Sequence, residues 1–135
     1  ATIEAVRDGT IDIVSSMHTP QDEESKRLPF EDAASGAIGL ETILPAMLRL
    51  YHSSHLKMEQ IFNAISLKPA KRLGLACGSL KHKQIADLIV FDADKPFILN
   101  RELLHSKVKN TPFDGHKLQG QVLRTFVKGK EVFSL

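Results

Sequence analysis

The stretch that decides how this chain folds is "IDIVSSMHTPQDEESKRLPFEDAASGAIGLET", residues 11–42. It opens on a short β-branched run, which predicts a buried strand over residues 11–16. A polar loop over residues 19–37 follows, and loops of this length inside compact domains are often functional. The stretch closes on Gly36 and Gly39, which let the backbone approach a ligand closely and present N–H groups just before a helix. We therefore expect the rim of a binding or active site here.

Helical patterns fill the chain on either side of this loop as far as residue 74. "ATIEAVRDG" predicts the last turns of a helix that stops at Gly9. Apolar residues at steps of three and four predict a helix over residues 39–55, and Pro45 confines its regular part mainly to the residues after the proline. A second helix is predicted over residues 57–66 and a third, short one from Pro69.

Strand patterns replace the helical ones after Gly78. "ADLIVFDAD" predicts one strand, and "QGQVLRTFVKGKEVF" predicts two that are joined at Lys128 and Gly129. A helix that leads directly into a buried strand indicates an α/β protein. The change of period predicts a domain boundary near residues 74–78.

Composition excludes several classes of protein. Among 135 residues, 42% are hydrophobic and 25% charged, which is typical of a globular chain. A net charge of +2 with scattered basic residues predicts no nucleic-acid partner, and no apolar run is long enough for a membrane span. The single Cys77 favours a reducing cytoplasm. Because the chain starts at Ala1 rather than Met, we expect a piece of a longer protein.

Three local patterns could carry chemistry, and each has a simpler interpretation. Ser15 or Ser16 with His18 could form a nucleophile and base, but no glycine-framed elbow surrounds either serine. His52 and His55 share a helix face and could chelate a metal, yet no third ligand is placed beside them. The segment "DEESKR" offers paired carboxylates for acid–base work, but exposed mixed charges favour a solvated surface.

Longer motifs resemble those of class I dihydroorotases. They are "DGTIDIVSSMHTPQDEESKRLPFEDAASGAIGLETILP", "GSLKHKQIADLIVFDAD" and "SKVKNTPFDGHKLQGQVLRTFVKGKEVF", which together cover nearly the whole chain. Hydantoinases, dihydropyrimidinases and allantoinases share the closing part. The resemblance implies an α/β fold, namely the C-terminal fragment of a (β/α)8 amidohydrolase barrel with part of a small β-sandwich. Residues 1–77 would supply the last barrel strand and its helices, and residues 78–135 the sandwich portion.

The same resemblance assigns roles to individual positions. The family's Asp, a metal ligand and proton acceptor, is Met17 here, and a thioether cannot replace a carboxylate in either task. The substrate-contacting histidine of the family corresponds to Gln21, which can still hydrogen-bond a carboxylate. The backbone of Ser35, Gly36 and Ala37 is the other implied substrate contact. The family's remaining ligands for two zinc ions would lie upstream, so we expect neither catalysis nor metal binding by this chain alone.

Two interpretations of the parent protein stay open at this stage. In one, it is a working dihydroorotase of pyrimidine synthesis, in which a nearby group such as Asp22 compensates for Met17. In the other, it has lost catalysis and serves as a structural partner of aspartate carbamoyltransferase. For the chain itself, unpaired strand edges and apolar faces predict association with the rest of its parent or with another copy.

Overall fold

The computed structural model describes residues 1–135, in which short helices precede an antiparallel sheet. In chain order the elements are α1 (Thr2–Asp8), α2 (Glu23–Lys26), α3 (Ile43–His52), α4 (Met58–Phe62), a π-helical turn (Asn63–Leu67), α5 (Lys68–Arg72), β1 (Leu88–Ile98), a 3-10 turn (Arg101–Leu103), β2 (Lys117–Val127) and β3 (Lys130–Ser134). No helix is long and apolar enough to cross a membrane.

The first helices confirm the sequence patterns. Helix α1 ends at Gly9, whose φ of 86° is the left-handed conformation of a glycine C-cap. Helix α3 starts at Ile43, so that Pro45 falls in its first turn, where a missing N–H costs nothing. The predicted loop that precedes α3 also contains the single turn of α2.

The second and third predicted helices are continuous with each other, which corrects their separation in the sequence analysis. The π-helical turn joins α4 directly to α5. Pro69 has no N–H to donate, and its ring clashes with the carbonyl four residues earlier in a regular α-helix. A widened turn just before Pro69 keeps the backbone helical in spite of this.

The prediction of a buried strand over residues 11–16 is wrong for this chain. These residues form no strand, and Ile13 is 39% exposed. The N–H of Val14 donates to the carbonyl of Ala64 at 3.0 Å, which is a contact with a helix rather than with a strand. A strand needs a neighbouring strand to satisfy its N–H and C=O groups, and the chain supplies none at this position.

The three strands form the sheet that the sequence predicted. Their order is β1-β2-β3, both pairings are antiparallel, and β1 carries irregularities between Val90 and Phe91 and between Asp92 and Pro96. The two-residue turn between β2 and β3 has φ of 51° at Lys128 and 76° at Gly129. Positive φ at both positions is the geometry that follows the twist of a tight hairpin.

The helices meet the sheet where α3 crosses β2. Leu48 is fully buried, and its Cδ1 atom occupies the space that a Cβ at position 120 would need. Gly120 has φ of 101°, so both the conformation and the contact require glycine. The largest fully buried side chains are Leu48, Ile61 and Leu118.

Much apolar surface remains uncovered by this arrangement. Only 14 of 135 residues are buried. The accessible surface is 9492 Å², whereas a compact monomer of 15.0 kDa exposes about 7,000 Å². The excess of roughly 2,400 Å² exceeds the ~800 Å² that one partner contributes to a standard protein interface.

The predicted division of the chain into residues 1–77 and residues 78–135 stays a prediction.

We expect Gly120→Ala to lower the free energy of unfolding by about 2–4 kcal/mol, since the new methyl group meets Leu48 and φ is strained. The matched control is Gly115→Ala, where φ is 71° and no atom lies within 4 Å of the added Cβ. That control should cost only about 1 kcal/mol. Urea unfolding of both variants, made in the protein that carries this chain, measures the difference, and equal costs would show that the α3–β2 contact is not tight.

Candidate functional site

The two ends of the loop over residues 17–39 lie side by side. His18 and Ala37 form an isolated parallel bridge, in which the N–H of Thr19 donates to the carbonyl of Ala37 at 2.9 Å. The N–H of Gly39 donates to Nδ1 of His18 at 3.1 Å. Nδ1 of His18 therefore acts as an acceptor from the backbone, and no hydrogen bond joins His18 to Ser15 or Ser16. The structure gives the serine–histidine interpretation no support.

The two glycines of the loop permit this close contact. A Cβ at Gly36, where φ is 119°, would lie 2.8 Å from both the Cβ and the carbonyl oxygen of Thr19. A Cβ at Gly39 would meet the carbonyl oxygen of Ser16. The close backbone contact that the sequence indicated is present, and the two glycines make it with the chain's own residues 16–19.

The acidic segment "DEESKR" forms α2 and holds the middle of the loop. Asp22 caps the helix, since its Oδ1 accepts from the N–H of Ser25 at 2.8 Å. This backbone hydrogen bond, with a smaller contribution from the Ser25 side chain, lowers the pKa of Asp22 below its usual range. Nζ of Lys26 donates to the carbonyls of Ala34 at 2.6 Å and Gly36 at 3.1 Å. The segment therefore stabilises the loop in addition to being exposed to solvent.

The C-terminal half of the chain closes the site from the other side. Nδ2 of Asn110 donates to the carbonyl of Gly36 at 3.3 Å, and its Oδ1 accepts from the N–H of Gln21 at 3.4 Å. The carboxylate of Glu41 accepts from the N–H groups of His105, at 3.0 Å, and Ser106, at 3.3 Å. Sequence analysis assigned no role to Asn110 or Glu41. The only signal was their position inside the "KNTPF" and "GLET" motifs.

Two cavities border the loop. One of about 440 Å³ is lined by Lys26, Gly36, Ala37, Asn110 and others, and it is rimmed by charged side chains. The second, of about 420 Å³, is more apolar and is lined by Met17 as well as Gly36 and Ala37.

The substrate contacts implied by the resemblance are only partly brought together. Gly36 and Ala37 border both cavities, whereas Gln21 and Ser35 line neither. The N–H groups of Ser35 and Gly36 donate to no acceptor in the chain. These two N–H groups are therefore available to an oxygen of a ligand, and the backbone is the better candidate for substrate contact.

Met17 has a backbone conformation that is uncommon for methionine. Its φ is 45°, in the left-handed region, where Asn and Asp are several-fold enriched over other side chains. The Met17 side chain is 74% exposed. The backbone at position 17 therefore has a conformation that suits Asn or Asp better than methionine.

The side chains of this chain do not fit a zinc site. No group of three or more His, Cys, Asp or Glu side chains is close enough to hold a metal ion. His52 and His55 have separate partners, since Nε2 of His52 hydrogen-bonds the carbonyl of Ala93 at 3.0 Å and Nδ1 of His55 hydrogen-bonds Oγ of Ser53 at 2.6 Å. Met17 offers a thioether where a hard carboxylate ligand is expected.

Comparisons with known proteins agree with this architecture. Residues 2–132 match the family model described as the amidohydrolase family. A dihydroorotase of Wolbachia sp. subsp. Drosophila simulans is 40% identical over 134 residues, which are 99% of this chain and 30% of that protein. A dihydroorotase of Acetivibrio thermocellus is 38% identical over 98% of this chain and 31% of its own length.

Solved structures show the same fold. The L-hydantoinase (dihydropyrimidinase) of Arthrobacter aurescens superposes with a TM-score of 0.92 at 32% identity, over 98% of this chain and 31% of that one. The dihydropyrimidinase of Brevibacillus agri gives 0.91 at 23% identity, over 98% of this chain and 30% of that one, which concerns the fold alone. The predicted fold class, a fragment of an amidohydrolase barrel protein, is confirmed. The chain spans about 30% of the length of the dihydroorotases it matches.

We expect Met17→Asn to raise the free energy of unfolding by on the order of 0.5–1 kcal/mol, because asparagine tolerates the left-handed backbone better than methionine does. The exposed Met17 side chain contributes little packing to lose. Met17→Leu is the matched control and should stay within about 0.5 kcal/mol of the wild type. Denaturant unfolding compares the three forms of the protein that carries this chain, and no gain in Met17→Asn would show that position 17 is unstrained.

Proposed function

Because this chain belongs to the amidohydrolase family, we propose that it forms part of a dihydroorotase, an enzyme that interconverts N-carbamoyl-aspartate and dihydroorotate in pyrimidine biosynthesis. The loop over residues 17–39 is the observation that carries this proposal, since Lys26 from within the loop and Asn110 from the C-terminal half both donate to the carbonyl of Gly36. The 40% identity with a Wolbachia dihydroorotase over 99% of the chain supports it.

The loop would bind substrate through its backbone. The N–H groups of Ser35 and Gly36 have no acceptor within the chain and would donate to a carboxylate or imide oxygen of the substrate. Ala37 would line the same contact, and the Gln21 side chain would supply a neutral hydrogen bond where the family has histidine. Lys26 adds a positive charge next to Gly36, which favours an anionic substrate.

A second candidate function follows from Met17. Without a carboxylate at this position the attacking water has no proton acceptor, so the protein would be a dihydroorotase-like structural partner of aspartate carbamoyltransferase. Compensation by Asp22 is the competing possibility. It would require Asp22 to leave its capping bond to the N–H of Ser25, a bond that favours the charged carboxylate and so lowers the pKa of Asp22.

Zinc enters the proposal only as a property of the family. Because the residues present do not fit zinc, we derive no step through a metal, and its ligands in such a protein would come from outside residues 1–135.

The lone, half-buried Cys77 is consistent with the cytoplasmic location that we also propose. A hydantoinase- or allantoinase-type cyclic amide hydrolase is the alternative substrate class, and the 32% identity with an L-hydantoinase supports it.

The central test is zinc content and dihydroorotate hydrolysis by the protein that carries this chain. We expect Met17→Asp to raise kcat by at least about 100-fold over wild type, since a positioned general base contributes roughly that much. Hydantoin and allantoin serve as competing substrates. A wild type that already turns over rapidly, with no gain in Met17→Asp, would contradict the claim that the missing carboxylate limits the site.

Two variants serve as controls for this experiment. Met17→Asn shares the backbone preference of Met17→Asp but accepts no proton, so it should not raise kcat. Asp22→Asn keeps a good helix cap and removes the charge. Wild-type turnover that disappears in Asp22→Asn would establish compensation by Asp22 instead.

We also propose that residues 1–135 require a partner, namely the rest of the barrel or a second copy. The excess accessible surface and the unpaired segment at residues 11–16 support this. Expressed alone, the chain should self-associate or unfold without cooperativity, and co-expression with the remaining barrel segment should give a single cooperative species. Light scattering and thermal unfolding measure both properties, and a well-folded monomer of the isolated chain would contradict the proposal.

A further inference from the structure

We propose that Asn110 is a positioning residue, which fixes the backbone of Ser35, Gly36 and Ala37 in the orientation that binds substrate. The inference rests on the proposed function for the substrate and on the hydrogen bonds of the chain for the positioning. No motif or comparison assigns a task to this side chain.

Asn110 is the point at which the two halves of the chain meet around the loop. Its side chain contacts Gln21 at one end of the loop and Gly36 at the other, across 89 and 74 residues of sequence. Its backbone carbonyl also accepts from the N–H of Ile38 at 3.0 Å. One residue therefore fixes the loop at three positions.

The carbonyl of Gly36 is the atom that needs to be fixed. A peptide unit is planar, so this bond fixes the plane between Gly36 and Ala37, and through the Cα of Gly36 it restrains the free N–H of Gly36. Glycine at φ of 119° has no side chain to oppose rotation of that plane. Two donors converge on the carbonyl oxygen instead, Nζ of Lys26 at 3.1 Å and Nδ2 of Asn110 at 3.3 Å.

The two donors differ in what they can determine. Lys26 lies within the same loop, so it would move together with Gly36 if the loop shifted as a unit. Asn110 belongs to the segment that leads into β2, and it alone ties the carbonyl to the sheet. Both side chains line the cavity of about 440 Å³ that Gly36 and Ala37 border. The position of the loop relative to this cavity thus depends on Asn110.

The test is steady-state kinetics of dihydroorotate hydrolysis by the protein that carries this chain. If the wild type binds without turnover, the Kd for dihydroorotate replaces KM. We expect Asn110→Ala to raise KM five- to tenfold, about the worth of one hydrogen bond, with kcat changed less than about twofold. Asn110→Asp keeps the acceptor for Gln21 but loses the donor to Gly36, and it should match Asn110→Ala.

Asn100→Ala is the matched control. Asn100 likewise accepts a backbone N–H with its Oδ1, that of Glu102 at 3.0 Å, but its side chain makes no hydrogen bond to the loop. The control should leave KM within about twofold of wild type. An unchanged KM in Asn110→Ala, or the same rise in Asn100→Ala, would overturn the inference.

Hydrogen exchange separates this inference from the proposed function. The N–H of Ile38 donates to the backbone carbonyl of Asn110, a bond that joins the loop to the segment before β2 and that Asn110→Ala leaves in place, so its exchange reports the position of the loop without any substrate. Its exchange should accelerate roughly tenfold in Asn110→Ala and stay unchanged in Asn100→Ala. A wild type that neither binds nor hydrolyses dihydroorotate would contradict the proposed function, and exchange then decides alone: faster exchange supports positioning by Asn110, and unchanged exchange overturns it.

Discussion

The contact between Leu48 and Gly120 fixes the distance on which the site depends. It places α3 directly on β2 because glycine leaves room for the leucine side chain. The loop over residues 17–39 leads into α3, and the segment with Asn110 leads into β2. When helix and sheet pack closely, these two connections are brought together, and Asn110 comes within hydrogen-bond distance of Gly36. The residues of the site lie outside α3 and β2, yet the packing of these two elements brings them together.

The geometry of the candidate site is set by backbone conformation more than by side chains. Met17 keeps a left-handed backbone, and Gly36 and Gly39 keep the contact with residues 16–19. Such geometry is imposed by the surrounding hydrogen bonds, so it persists when one side chain changes. Proton transfer and metal binding tolerate substitution less well, because they depend on particular side-chain atoms. The backbone geometry of the loop and the chemistry of its side chains can therefore change independently.

The exposed surface has a similar origin. Residues 11–16 have the composition of a buried strand, yet their hydrogen-bonding groups find no neighbouring strand within the chain. The accessible surface exceeds that of a compact monomer of the same mass by roughly 2,400 Å². Composition by itself does not reveal this, since the hydrophobic fraction of 42% is ordinary. The unusual property is how little of that fraction the chain can cover alone.

The sequence by itself determined the local elements and the family. Periodicity placed the helix end at Gly9, α3 and the hairpin at Lys128–Gly129, because these depend on interactions between residues close in the chain. Motif order indicated the amidohydrolase fold.

Only the tertiary structure decided the absence of a strand at residues 11–16, the continuity of α4 with α5, and the hydrogen bonds of Asn110. Each of these depends on what a backbone group meets in space. Asn110 and Gly36 are 74 residues apart in sequence, and no local pattern specifies a hydrogen bond over that separation.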